Sequence, residues 1–169
     1  MKKYELTDDT ITVGGRILHR IKALKSFSDV EEGDLGGYVE KEDNLNQSGN
    51  AWVYGDARVY GDARVSGNAQ VCGDAWVSGD ARVCGDAWVY GDAWVSGEND
   101  YTTAKGFGRE YRTTTFFRLK DGGIGVRRGC FYGTLDEFRK KVKETHKESK
   151  LGKEYLMLAD LMEYKFKNE

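Results

Sequence analysis

The 169-residue sequence has no proline, only three cysteines and two histidines, and no apolar run long enough to span a bilayer. Each shortage narrows the reading. With 22 glycines and no proline, many turns must come from one glycine-based design, which makes internal periodicity the first feature to look for. Cys72, Cys84 and Cys130 are odd in number and lack metal-ligand spacing, so they read as free thiols of a reducing compartment. The opening Met1-Lys2-Lys3-Tyr4-Glu5 leads into no apolar stretch. A cytoplasmic protein without membrane contact, cofactor or bound metal is expected.

What is present supports a packed chain: 39% of residues are hydrophobic and 32% charged. The net charge of -2 points neither to nucleic acid nor away from it, but charge is unevenly placed. Residues 1–47 carry 7 Lys/Arg against 10 Asp/Glu, residues 48–98 carry 3 against 7, and residues 99–169 carry 16 against 11. Only the C-terminal part is basic.

From Ser48 to Val95 eight six-residue units follow without a break: SGNAWV, YGDARV, YGDARV, SGNAQV, CGDAWV, SGDARV, CGDAWV and YGDAWV. Each reads as a turn followed by a three-residue strand. In Ala63-Arg64-Val65, alanine and valine face one side and arginine the other. In Tyr-Gly-Asp the glycine supplies positive φ, and the aspartate bonds nearby backbone. One unit cannot bury its Ala/Val face, whereas stacked coils can. Upstream, Gly36–Gln47 keeps the phase loosely, with Val39 and Leu45 expected in the alanine slot.

These units resemble the hexapeptide repeat of left-handed parallel β-helices. The resemblance implies triangular coils of three hexads, 18 residues long, with a small and an aliphatic residue inside. The flanking stretches Gly33-Asp34-Leu35-Gly36-Gly37-Tyr38-Val39-Glu40 and Gly129-Cys130-Phe131-Tyr132-Gly133-Thr134 are similar to those of phage and prophage proteins with this repeat. Such proteins are often named transferases on the repeat alone. The expected fold is mainly β: a left-handed β-helix over 36–97, an N-terminal β-hairpin cap over 1–35 and a small α+β domain over 98–169.

An 18-residue coil sorts the outward residues into three columns: Trp52, Gln70 and Trp88; Arg58, Trp76 and Trp94; Arg64 and Arg82. All four tryptophans are expected to point outward on two faces, more aromatic surface than monomers leave in water. At the N-terminus, Ile11, Val13, Ile17 and Ile21 of a Gly14-Gly15 hairpin are expected to close the solenoid. At the C-terminus two strands, 112–120 and 124–131, precede a helix opened by the Thr134-Leu135-Asp136-Glu137 capping box, and Gly152 separates a second helix.

Catalytic candidates are scarce. The resemblance implies an acyltransferase that uses a histidine as general base, but His19 and His146 both lie outside the hexads. His19 reads as a cap residue and His146 as a helix-end cation. β-Helical carbonic anhydrases need three histidines on zinc, and two cannot build that site in one chain. Cys72 and Cys84 fall on different corners. The aspartate columns, Asp56, Asp74 and Asp92 with Asp62 and Asp80, read as solvated turn residues rather than a cation site. Arg127, Arg128, Lys140 and Lys141, with Arg139 and Lys143, are candidate phosphate contacts, though no recognised nucleic-acid module accompanies them.

The sequence thus reads as a non-enzymatic scaffold. Its Trp52, Trp76, Trp88, Trp94, Arg58, Arg64 and Arg82 side chains would assemble copies of the chain or bind a protein partner. By the phage resemblance, that partner is a host defence factor. Hexapeptide acyl transfer and nucleic-acid or nucleotide binding by the basic C-terminal domain are the alternatives.

Overall fold

The computed structural model describes residues 1–167. Strands β1 (Tyr4–Val13), β2 (Arg16–Ala23) and β3 (Leu35–Val39) lead into the repeats. Each repeat contributes a two-residue strand: β4 (Trp52–Val53), β5 (Arg58–Val59), β6 (Arg64–Val65), β7 (Gln70–Val71), β8 (Trp76–Val77), β9 (Arg82–Val83), β10 (Trp88–Val89) and β11 (Trp94–Val95). There follow β12 (Tyr101–Ala104), β13 (Thr114–Arg118), β14 (Ile124–Arg128), β15 (Phe131–Thr134), α1 (Leu135–His146) and α2 (Lys150–Phe166).

The repeats wind into a β-solenoid with three faces. Strands β4, β7 and β10 pair in parallel on one face, β5, β8 and β11 on the second, and β6 and β9 on the third. Every alanine and valine of the eight hexads is at most 1% exposed. Backbone groups are met one coil away: the N–H groups of Trp52, Arg58, Arg64 and Gln70 donate to the carbonyls of Ala69, Ala75, Ala81 and Ala87 at 2.9–3.1 Å. Thus each coil supplies both the apolar cover and the hydrogen-bond partners of the next.

The first coil departs from the expected phase. Val39 pairs with Val59 and Leu45 with Val65, both 20 residues apart, whereas Val53 pairs with Val71, 18 apart. Val39 and Leu45 therefore sit in the valine slot, not the alanine slot. Gly37 occupies the small inward position before Val39, where a Cβ would come within 2.5 Å of the Ala57 carbonyl oxygen. No isopropyl group fits there. The two extra residues widen the corner after Leu45. Gln47 holds that corner by accepting from the Lys3 N–H at 2.8 Å.

Both solenoid ends are sealed by sheet. The β1–β2 hairpin joins β3 antiparallel, so the second face continues as a six-stranded sheet, β1-β2-β3-β5-β8-β11. Of the four expected capping side chains only Ile21 enters the core, while Ile17 is 58% exposed. Ile11 and Val13 are half-buried. Register shifts between Leu6 and Thr10 and between Arg20 and Lys22 turn the strands. Tyr4, Ala23 and Val30 complete the seal instead.

The C-terminal domain has four strands, not two, in the order β12-β13-β14-β15, with both helices on one side. Strand β13 divides the two cores. Phe117 and Leu119 close the solenoid end, and Phe116 joins Phe138, Tyr155, Leu158 and Met162 under the helices. A turn at Gly129, with φ of 54°, splits the expected second strand into β14 and β15. The capping box of α1 forms, with the Thr134 N–H donating to Glu137 Oε2 at 2.7 Å. Gly152 lies inside the first turn of α2 rather than between helices, because Ser149 supplies the N-cap and accepts from its N–H at 3.1 Å.

Two turn glycines of similar φ, Gly55 at 59° and Gly79 at 61°, isolate the role of coil spacing. A Cβ on Gly55 meets nothing within 4 Å, whereas one on Gly79 collides with the Ser96 carbonyl. Gly55→Ala should cost about 1 kcal/mol for its left-handed backbone alone, and Gly79→Ala at least about 1 kcal/mol more. Equal urea-unfolding losses would overturn that spacing.

Candidate binding face

The three outward columns form as the 18-residue coil requires, but the two ends of the molecule claim them unequally. On the first face, Trp52 points out of the solenoid as expected, but it is 1% exposed rather than open to water. Tyr4 and Phe27 meet its ring edge-on, with centroids 6.0 and 5.4 Å away. The extended N-terminal segment brings in this cover, which hexad periodicity could not reveal. Lys3 seals it: its ammonium is buried, donates to the Ala51 carbonyl at 2.8 Å and lies over Phe27.

At the other end of that face, Trp88 is half-buried by the C-terminal sheet. The Arg127 guanidinium lies 3.9 Å above its ring, and Thr115 Oγ1 accepts from the Trp88 N–H at 2.9 Å. The indole N–H donates to Cys72 Sγ at 3.1 Å. Burial pushes the Cys72 thiol up to about 11 against this bond, leaving it protonated and unreactive.

The candidate phosphate contacts do not converge. Arg128 donates to the Arg112 carbonyl at 3.0 Å and lies over Tyr155, and Arg139 pairs with Asp160 and Glu163. Both Arg127 and Arg128 are thus engaged within the chain, while Lys140 and Lys141 lie exposed on α1. The third solenoid face carries exposed Arg64 and Arg82 over an open groove of about 570 Å³, which Glu42 and Asp43 also line. Charges of both signs share that groove.

Neither histidine faces a solenoid groove. His19 Nδ1 is 3.0 Å from the Thr7 carbonyl within the hairpin, and His146 packs on Tyr155 at 5.5 Å between ring centroids. Cys72, Cys84 and Cys130 are unpaired. Among the described residues no group of three or more His, Cys, Asp or Glu side chains is gathered for a metal ion, and no helix is long and apolar enough to cross a membrane.

The second face is open chiefly at its C-terminal end: Tyr38 is buried, Arg20, Arg58 and Trp76 are half-buried, and Trp94 is exposed. Its outward row runs Arg20, Tyr38, Arg58, Trp76, Trp94 across strands β2, β3, β5, β8 and β11. Arg20 stacks on Tyr38 at 4.6 Å and Arg58 on Trp76 at 5.2 Å. Trp76 meets Trp94 edge-on at 6.2 Å, and Lys120 reaches within 5.3 Å of the Trp76 ring. Trp94 is 45% exposed at the end of the row. Arg58 Nε and Trp76 Nε1 are buried in this stack without an acceptor, so the isolated chain leaves two donors unmet. The column itself was legible from spacing. Its extension through Tyr38 and Arg20 was not, because it depends on the 20-residue first coil and the hairpin.

The architecture and its open face define a β-solenoid closed by a hairpin at one end and an α+β cap at the other, with one aromatic–cationic side left uncovered. Residues 57–73, 69–84 and 81–97 match the model of the YdcK β-solenoid repeat. Over 62 residues the chain is 34% identical to a protein of Escherichia coli (strain K12) named as an uncharacterized acetyltransferase, YdcK. That similarity takes in 32% of this chain and 19% of the relative's length.

Two outcomes follow from the burial pattern. Trp52→Ala should cost about 3–5 kcal/mol as a buried aromatic truncation, while Trp94→Ala should stay within about 0.5 kcal/mol; urea midpoints separate them. Burial, with Lys25 nearby, lowers the Lys3 ammonium from 10.5 to about 8. Below pH 8 both folded and unfolded chains carry the proton and the full burial penalty applies. As pH rises from about 8 the folded chain sheds that proton first, so stability contributed at Lys3 increases toward pH 10. This rise should be absent from Lys3→Met. The comparison stops near pH 10, because burial also raises the Tyr4 phenol above its ordinary 10.0 and reverses the trend beyond it.

Proposed function

We propose that this chain is a non-enzymatic binding scaffold whose working surface is the Arg58–Trp76–Trp94 face. The observation that carries the reading is the open aromatic–cationic row, ending in a Trp94 that is 45% exposed while the other Trp face is covered at both ends. Tryptophan and arginine are the side chains that dominate interface energetics. Rigid rungs present them at almost no ordering cost. Self-association and capture of a macromolecular partner both belong to this reading. The resemblance of the flanking segments to phage proteins makes a host defence protein the partner proposed.

The relative's name makes acyl transfer the competing reading. It needs a general base at a substrate groove, and the contacts of His19 and His146 favour structural roles for both. A cytoplasmic location is proposed with the scaffold role, in keeping with three unpaired thiols.

Immobilised protein incubated with bacterial extract tests this directly. Trp94→Glu should weaken partner retention roughly 30-fold, the loss typical of a hot-spot tryptophan, while Arg82→Glu on the opposite groove should retain it. The reading is overturned if the chain instead consumes acetyl-CoA with an acceptor and loses that turnover in His19→Ala or His146→Ala.

A further inference from the structure

We infer that the occupant of the Arg58–Trp76–Trp94 face is a second copy of this chain, docked about a two-fold axis lying in the face and running between β5 and β8. This rests on the binding role proposed above and takes its self-association arm, so that a foreign partner would compete with the second copy for this face. The row is polarised. Its N-terminal half carries two guanidinium groups, Arg20 on the buried Tyr38 ring and Arg58, and its C-terminal half carries two indoles, Trp76 and Trp94, with the Lys120 ammonium at the rim 5.3 Å from the Trp76 ring. A two-fold axis in that position runs the two solenoids antiparallel. Arg58 of one copy then faces Trp76 of the other, and the Tyr38 rung faces Trp94, with the Arg20 guanidinium stacked on Tyr38 one rung beyond. The central contact joins a cation to an aromatic ring, and no arginine lies directly opposite another. An axis along the solenoid would instead set Arg58 against Arg58, so charge selects the antiparallel arrangement.

The rim obeys the same complementarity. Beside the N-terminal half, Asp56 lies 3.7 Å from Arg20. Beside the C-terminal half, Lys120 donates to the Asp74 backbone carbonyl at 3.0 Å, while the Asp74 carboxylate has no cation within ion-pairing distance among the described residues. Antiparallel docking brings Arg20 of one copy, which its own chain pairs with Asp9 at 3.0 Å and Asp56 at 3.7 Å, toward Asp74 of the other, so the rim carboxylate without a cation gains one from across the interface. Five rungs at a spacing of about 4.8 Å make a strip about 20 Å long. Such a strip lies at the small end of specific interfaces, so the dimer dissociates on dilution. The Trp94 indole, the most exposed of the row, closes the interface at both of its ends.

Sedimentation equilibrium of the full chain, from low micromolar to near-millimolar protein, reads the proposal. The expected result is a concentration-dependent rise toward twice the monomer mass, abolished by Trp94→Glu and unchanged by Leu161→Ser on the exposed side of α2. Because Trp94→Glu could act through folding, register is read separately in a Cys84→Ser, Cys130→Ser background. Arg20→Cys and Asp92→Cys proteins, mixed and treated with a short bis-maleimide, should cross-link to each other in preference to their own kind, because the two copies of Arg20 lie about five rungs, roughly 24 Å, apart. A monomer at every concentration overturns the second-copy proposal, and so does a dimer indifferent to Trp94 or one in which Arg20→Cys cross-links to itself. If that monomer still retains an extract protein through Trp94, the binding role stands and only the identity of the partner falls. Acetyl-CoA turnover would remove the binding role itself.

Discussion

Each coil of this solenoid depends on its neighbour for two things at once, cover for its inward alanine and valine and acceptors for its backbone N–H groups. Neither need can be met within a hexad, whose strand is only two residues long. Stacking meets both through the interior and creates a problem at each end, where a bare coil would expose apolar surface and unpaired edges. The flanking segments answer that problem. Tyr4, Ile21 and Val30 close one end, Phe117 and Leu119 the other, and all join the same core as the repeats. The C-terminal helices are one layer further out, anchored to the back of the sheet that seals the solenoid.

Sealing the ends also decides which faces remain available. The N-terminal segment folds over Trp52, and the C-terminal sheet lays Arg127 on Trp88, so one aromatic column is spent on holding the molecule together. The basic residues of the C-terminal domain are largely consumed in the same way, with Arg128 on backbone carbonyls and Arg139 on Asp160 and Glu163. What survives on the surface is one aromatic row that ends in the exposed Trp94, beside the Arg64–Arg82 groove of the third face. Under the binding role proposed above, the groups of this row stand in line rather than around a cleft, the arrangement that meets a complementary surface.

Much of this architecture was legible in the amino-acid order. The six-residue period alone placed alanine and valine inside, assigned every outward residue to its column, and located the α1 capping box. It did so because a strand's alternation and an 18-residue coil are local geometry, repeated until the pattern is unambiguous. Where the period lapses, legibility lapses too. The 20-residue first coil moved Val39 and Leu45 from the alanine to the valine slot, Ile17 stays in solvent on the regular hairpin ladder opposite Thr12, and β12 and β15 were too short to stand out.

The sequence by itself determined the solenoid, its three columns and the need for two seals, since these follow from side-chain volume and backbone valence within neighbouring residues. Only the tertiary structure decided which columns stay open. Trp52 and Trp94 occupy the same hexad position, yet one is 1% and the other 45% exposed. The difference is made by Tyr4 and Phe27, which pack on Trp52 from a segment outside the repeat. Burial of an outward side chain depends on contacts between distant parts of the chain, and no local period encodes those.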